Sequence, residues 1–81
     1  MIAVIDKAEF RGVRSGEYEG HAYTSLTFED DDARQFRMSA SPEDAARFIS
    51  GLVKGGIYTL SVQLSPSDRA YRLRLLDFEE V

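Results

Sequence analysis

The stretch Ser41-Pro42-Glu43-Asp44-Ala45-Ala46-Arg47-Phe48-Ile49-Ser50-Gly51-Leu52-Val53-Lys54-Gly55-Gly56 decides the fold, because it carries the helical periodicity of a chain otherwise patterned in twos. Ser41 is placed to accept a hydrogen bond from an orphan N–H, Pro42 suits the first helical position, and Glu43 and Asp44 complement the positive end of the helix dipole. Ala45, Phe48, Ile49, Leu52 and Val53 recur at helical spacing and predict one buried stripe. Lys54-Gly55-Gly56 predicts the close, a cation at the C-terminal end followed by a left-handed glycine cap.

On both sides of this helix the pattern is that of strands. Residues 2–14 hold Ile2, Val4, Ile5, Phe10 and Val13 without a proline, which predicts one long strand, bent or bulged near Ala8 or Gly12. Residues 15–20 place two glycines around Glu17-Tyr18-Glu19 and read as a polar turn. From His21 to Glu29, Ala22, Thr24, Leu26 and Phe28 alternate with His21, Tyr23, Ser25 and Thr27, the mark of a half-buried strand. Asp30-Asp31-Asp32 is a turn, and Arg34 to Ala40 resumes the alternation with Phe36 and Met38 opposite Gln35, Arg37 and Ser39. After the helix, Ile57 to Leu64 alternates Tyr58, Leu60, Val62 and Leu64 with Thr59, Ser61 and Gln63. Ser65-Pro66-Ser67-Asp68 is a turn, and Ala70 to Phe78 is the last strand, with Tyr71, Leu73 and Leu75 opposite Arg72, Arg74 and Leu76.

The element order is β-β-β-α-β-β over residues 1–81, taken as a single domain: all-β with one helix, an OB-fold-like five-stranded Greek-key barrel in which the helix plugs one end. An SH3-like barrel with an insertion, or an α+β sheet carrying one helix, has the same element list.

Composition narrows the function classes. At 81 residues there is room for one core, and without cysteine no disulfide or thiolate metal site supplements it. A hydrophobic share of 43% and a charged share of 30% are those of a soluble globular chain. No apolar run is long enough to span a bilayer, so no membrane partner is expected. Met1–Phe10 carries Asp6, Lys7 and Glu9 and lacks the apolar region of a secretory signal, so a cytoplasmic setting is expected. Catalysis is not expected, because nucleophile and base are both scarce: there is no Cys, and His21 is the lone His. Glu29-Asp30-Asp31-Asp32 lacks the alternating ligand spacing and the glycine of a calcium loop, so neither metal nor cofactor is expected.

The net charge of −4 opposes affinity through phosphate neutralisation alone. Exposed charges are screened within about 8 Å at physiological salt, so the local field of one face counts for more than the sum. Arg11, Arg14, Arg34, Arg37, Arg69, Arg72 and Arg74 lie on strands or their edges, whereas the acids gather in turns, at the helix start and at the C-terminus. The outward side of the second and third strands, framed by the first, is the usual ligand surface of an OB-fold. Arg11, Arg14, His21, Tyr23, Arg37, Arg72 and Arg74 are therefore the candidate nucleic-acid-binding residues, the arginines for phosphates and Tyr23 for a stacked base. The same arginines, set opposite acids, are also the ingredients of ordinary cross-strand ion pairs.

Short motifs add a resemblance. Gly20-His21-Ala22-Tyr23-Thr24 is similar to the G-x-x-Y-S that starts a strand in the small single-stranded DNA-binding proteins of filamentous phages. Gly56-Ile57-Tyr58-Thr59-Leu60 resembles their G-L-Y-T-V, and Leu73-Arg74-Leu75 an L-R-L near their C-terminus. The resemblance implies a homodimeric OB-fold that coats single strands, with Tyr23 in its DNA-binding region, and suits an accessory protein of a phage or mobile element. The chain departs from that family in its helix after the third strand, its few lysines and its net acidity. Asp77-Phe78-Glu79-Glu80-Val81 resembles the acidic, partly apolar tail of bacterial single-stranded DNA-binding proteins, but its shortness predicts a fraying strand end. The expected function is single-stranded DNA or RNA binding. The alternative is a protein-interaction or inhibitor module that meets a protein partner through the barrel face or a strand edge.

Overall fold

The computed structural model describes residues 1–66 and 71–81. Strand β1 spans Ile2–Tyr18, β2 His21–Glu29 and β3 Gln35–Ser39; helix α1 spans Pro42–Gly51, β4 Ile57–Pro66 and β5 Tyr71–Glu80. The strands close on themselves in the order β1-β2-β3-β5-β4, mostly antiparallel, with one parallel contact where Ser39 of β3 meets Arg74 of β5. No helix among the described residues is long and apolar enough to cross a membrane.

Closure depends on β1, which pairs on both edges: Ile2–Glu9 with β4 and Glu9–Tyr18 with β2. A strand that leaves one neighbour and joins another must bend, and β1 bends at the expected places. Its register shifts between Ile5 and Ala8, where Lys7 takes φ 54°, and again between Phe10 and Gly12, where Arg11 is the extra residue. Ala8, fully buried between these bulges, is small enough for the wall to curve tightly around it.

The alternation of the strands fills the interior. Ala8 and Phe10, Leu26 and Phe28, Met38, Tyr58, Leu60 and Val62, and Leu75 form one core with Phe48 and Leu52 of the helix. Phe28 stands between Phe10 and Phe36, with ring centroids 5.4 and 6.1 Å away. Phe48 is fully buried and meets Phe78 edge-on at 5.9 Å, and Phe78 in turn meets Tyr58 at 5.6 Å.

The helix begins as the sequence predicts. Ser41 Oγ accepts from Asp44 N at 3.3 Å, and Pro42 follows it. Its end differs from the prediction: α1 stops at Gly51 and Leu52 is already extended. The Val53 N–H, which would continue the helix, donates instead to Tyr58 Oη at 2.8 Å, and Leu52 turns into the core. Gly55, at φ 88°, serves a separate turn closed by Gly56 N–H donating to Val53 O. Val53, expected on the buried stripe, lies beyond the helix and is 65% exposed, and Ile49, also expected there, is 47% exposed although still within α1.

Two other expectations are corrected. Residues 15–18 belong to β1, and the turn is the pair Glu19-Gly20, both at positive φ as a tight hairpin turn requires. The C-terminus does not fray: Phe78, Glu79 and Glu80 pair with Leu60, Thr59 and Tyr58, and Val81 N–H donates to Ile57 O. A bulge at Leu76 swaps the phase of β5, so that Phe78 joins Leu73 and Leu75 on the inner side. Arg47 ties the helix to this bulge, reaching Asp77 at 3.1 Å and the Leu76 carbonyl at 3.1 Å. Pro66 pairs with Tyr71 at the end of β4. The remainder of the expected Ser65–Asp68 turn, with Arg69 and Ala70, lies outside the described residues.

Urea denaturation tests this packing. Phe48→Ala, emptying a fully buried site, is expected to lower the unfolding free energy by about 3–5 kcal/mol. Ser41→Ala, removing only the cap, is expected to cost about 1 kcal/mol; near-equal losses would contradict the place of Phe48 in the core.

Candidate nucleic-acid interface

Two hairpins reach past the short strand β3. The β1–β2 hairpin continues from Ser15–Thr24 to Tyr18–His21, and the β4–β5 hairpin from Leu64–Leu73 to Pro66–Tyr71. Between them β3 ends at Ser39, and its single register contact with β5 leaves a seam. A groove of about 420 Å³ opens there, lined by Tyr23, Thr24, Ser25, Arg37, Met38, Ser39, Arg72 and Leu73. Its floor is apolar where Met38 is buried and Leu73 half-buried.

Register pairs point to the same face of a sheet, which fixes the surface around the groove. One row runs Arg14, Ser25, Ser39, Arg74 across β1, β2, β3 and β5. Beside it lie Gly16 with Tyr23 on one side and Gly12, Thr27 and Arg37 on the other, while Arg72 precedes Arg74 by two residues. From the Tyr18–His21 pair to the Thr27–Arg37 pair, this face of the described residues bears no carboxylate. Arg14, Arg37, Arg72 and Arg74 are exposed, and none has an ion pair among the described residues.

The acids begin one row further on, and they hold Arg11. The bulge at Arg11 carries it beside Glu9, to which it donates a hydrogen bond, and within 3.6 Å of Glu29. The bond to Glu9 and the charges of Glu9 and Glu29 hold its guanidinium above its ordinary pKa. A cation shared by two carboxylates adds little positive field for a phosphate.

Of the candidate residues, the fold thus gathers Tyr23, Arg37 and Arg72 in the groove and sets Arg14 and Arg74 beside it. Arg11 is drawn into its acidic pair, and His21 sits at the hairpin turn, on the face of Tyr23 but outside the groove lining. Ser25 and Ser39 also line the groove. Their alternation with Tyr23 and Arg37 could have named them from the sequence. The sequence places Met38 and Leu73 only on the apolar sides of their strands, because an apolar residue beside a seam has the same pattern as one beneath a closed wall.

Among the described residues no group of three or more His, Cys, Asp or Glu side chains is arranged to hold a metal ion. Asp30 is instead occupied with its own turn, its Oδ1 accepting from the N–H groups of Asp32 and Arg34. No protein-family model matches the chain, and no curated protein is significantly similar to it.

Proposed function

We propose that the chain is an OB-fold module that binds single-stranded nucleic acid, DNA or RNA, in the groove between the β1–β2 and β4–β5 hairpins. The strand order β1-β2-β3-β5-β4 with a helix between β3 and β4 supports the fold. The observation that carries the function is a face with Arg14, Arg37, Arg72 and Arg74 and, among the described residues, no carboxylate, on a chain of net charge −4. Ordinary cross-strand pairing would have set acids among these arginines, as it sets Glu29 of β2 beside Arg11 of β1.

The arginines contribute Coulomb attraction and release of counterions from a phosphate backbone. Tyr23 contributes stacking, which requires a base free of its neighbours and so favours a single strand over a duplex. The apolar floor at Met38 and Leu73 and the hydroxyls of Ser25 and Ser39 offer contact to sugar and base without demanding one sequence.

A second reading has one observation in its favour. Among the described residues His21–Tyr23 of β2 pair with β1 alone, which offers the other edge of this segment to a peptide strand. A stable protein partner, together with no binding of oligonucleotides at low salt, would select it.

Fluorescence anisotropy with labelled oligo-dT tests the first reading. Four phosphate contacts predict that log K falls against log salt with a slope of about −2.8, and Arg37→Ala is expected to reduce its magnitude by about 0.7. Arg11→Ala, removing a cation already neutralised, is expected to leave the slope unchanged. Equal effects of the two substitutions would contradict the assignment of the groove.

A further inference from the structure

Tyr23 faces Gly16 across the β1–β2 hairpin. A β-carbon on Gly16 would lie 2.7 Å from Tyr23 Oη, 2.9 Å from Cζ and 3.0 Å from Cε1, well inside the ~3.5–4.0 Å of ordinary carbon contacts. The ring therefore rests on the bare backbone of Gly16. Backbone conformation does not explain this glycine: the positive-φ glycines are Gly12, Gly20 and Gly55, and Gly16 is not among them. An alanine suits the strand conformation at Gly16, and the three atoms nearest its β-carbon would all belong to the tyrosine.

We propose that Gly16 is a positioning residue, whose missing side chain lets the Tyr23 ring lie across the hairpin with one side covered and the other presented to the groove for one unstacked base. The inference rests on the nucleic-acid reading of the groove and specifies how its aromatic platform is built. A tyrosine free to rotate loses rotamer entropy when a base stacks on it, whereas a ring already seated against backbone has lost most of it beforehand. The covered side also limits the platform to one base, so Tyr23 is a stop on which a base lands and not a wedge between two. Tyr23 remains 42% exposed, as a platform must. Because the colliding atoms are the far end of an exposed side chain, a β-carbon at Gly16 displaces the ring at small cost to the fold.

The test is a double-mutant cycle between Gly16→Ala and Tyr23→Ala, read by anisotropy with oligo-dT of about 12 nucleotides. It is accompanied by 19F NMR of protein carrying 3-fluorotyrosine, the Tyr23 signal being assigned by its loss in Tyr23→Ala. Gly16→Ala is expected to weaken binding about ten-fold, within the range of one lost base stack, and to abolish the change in the Tyr23 resonance on saturation. In the Tyr23→Ala background, where the three nearest colliding atoms are gone, Gly16→Ala is expected to change affinity by less than about two-fold, the non-additivity of contacting residues. This double variant reports even if the single one perturbs its hairpin. Additive losses, or a Gly16→Ala protein with unchanged affinity and an unchanged Tyr23 response, would overturn the role of Gly16 and leave the nucleic-acid reading standing. A wild-type protein that binds no oligo-dT at low salt would overturn both.

Discussion

The two-sided pairing of β1 is the constraint on which the rest of the structure depends. A small chain without disulfides must close its sheet to protect its edges and surround a core. Here one strand does so by serving β4 with its first half and β2 with its second. The bulges at Lys7 and Arg11 supply the bend, and Ala8 and Phe10 turn inward between them. The circuit then closes at its thinnest point, the parallel contact of Ser39 with Arg74, the one register pair of β3 with β5 among the described residues. A short β3 flanked by two long hairpins leaves the sheet incomplete at this seam, and the groove is that incompleteness.

The same geometry sorts the charges. Alternation along β2, β3 and β5 places Tyr23, Ser25, Arg37, Ser39, Arg72 and Arg74 on one outer face. The bulge at Arg11 ends the run by delivering that arginine to Glu9 and Glu29. Further along β5 the bulge at Leu76 starts the acidic stretch of Asp77, Glu79 and Glu80, where Asp77 answers Arg47 of the helix. Bulges thus mark the borders between a basic face and acidic ones, which is how an acidic chain retains a locally positive surface. Screening over about 8 Å keeps these regions electrostatically distinct.

Where side-chain alternation was strong, the sequence was legible. The limits of β2 and the inward Phe36 and Met38 of β3 follow from period two alone, and the helix start follows from Ser41-Pro42. The misread places share a cause: local chemistry that tertiary contacts override. Ser15-Gly16-Glu17-Tyr18 has turn composition, but pairing with His21–Thr24 draws it into β1. Lys54-Gly55-Gly56 has cap composition, but the Tyr58 hydroxyl takes the donor that would have carried the helix to it. The acidic tip has the composition of a loose end, and no pattern reveals that a bulge turns Phe78 toward Phe48 and Tyr58. In the site, the arginines and Tyr23 were legible as a set on strand faces. That Arg11 leaves the set depends on a bulge whose position can be guessed and whose direction cannot. The seat of Tyr23 on Gly16 needs the hairpin register, which the misplaced turn concealed.

Amide chemical-shift mapping by NMR, titrating the labelled protein with oligo-dT at low salt, tests most directly whether the seam is the binding site. The largest changes are expected at Tyr23–Ser25, Arg37–Ser39 and Arg72–Leu73, with Ile2–Val4 and Asp77–Glu80 nearly still. Changes centred on those outer residues of β1 and β5, or none anywhere, would contradict it.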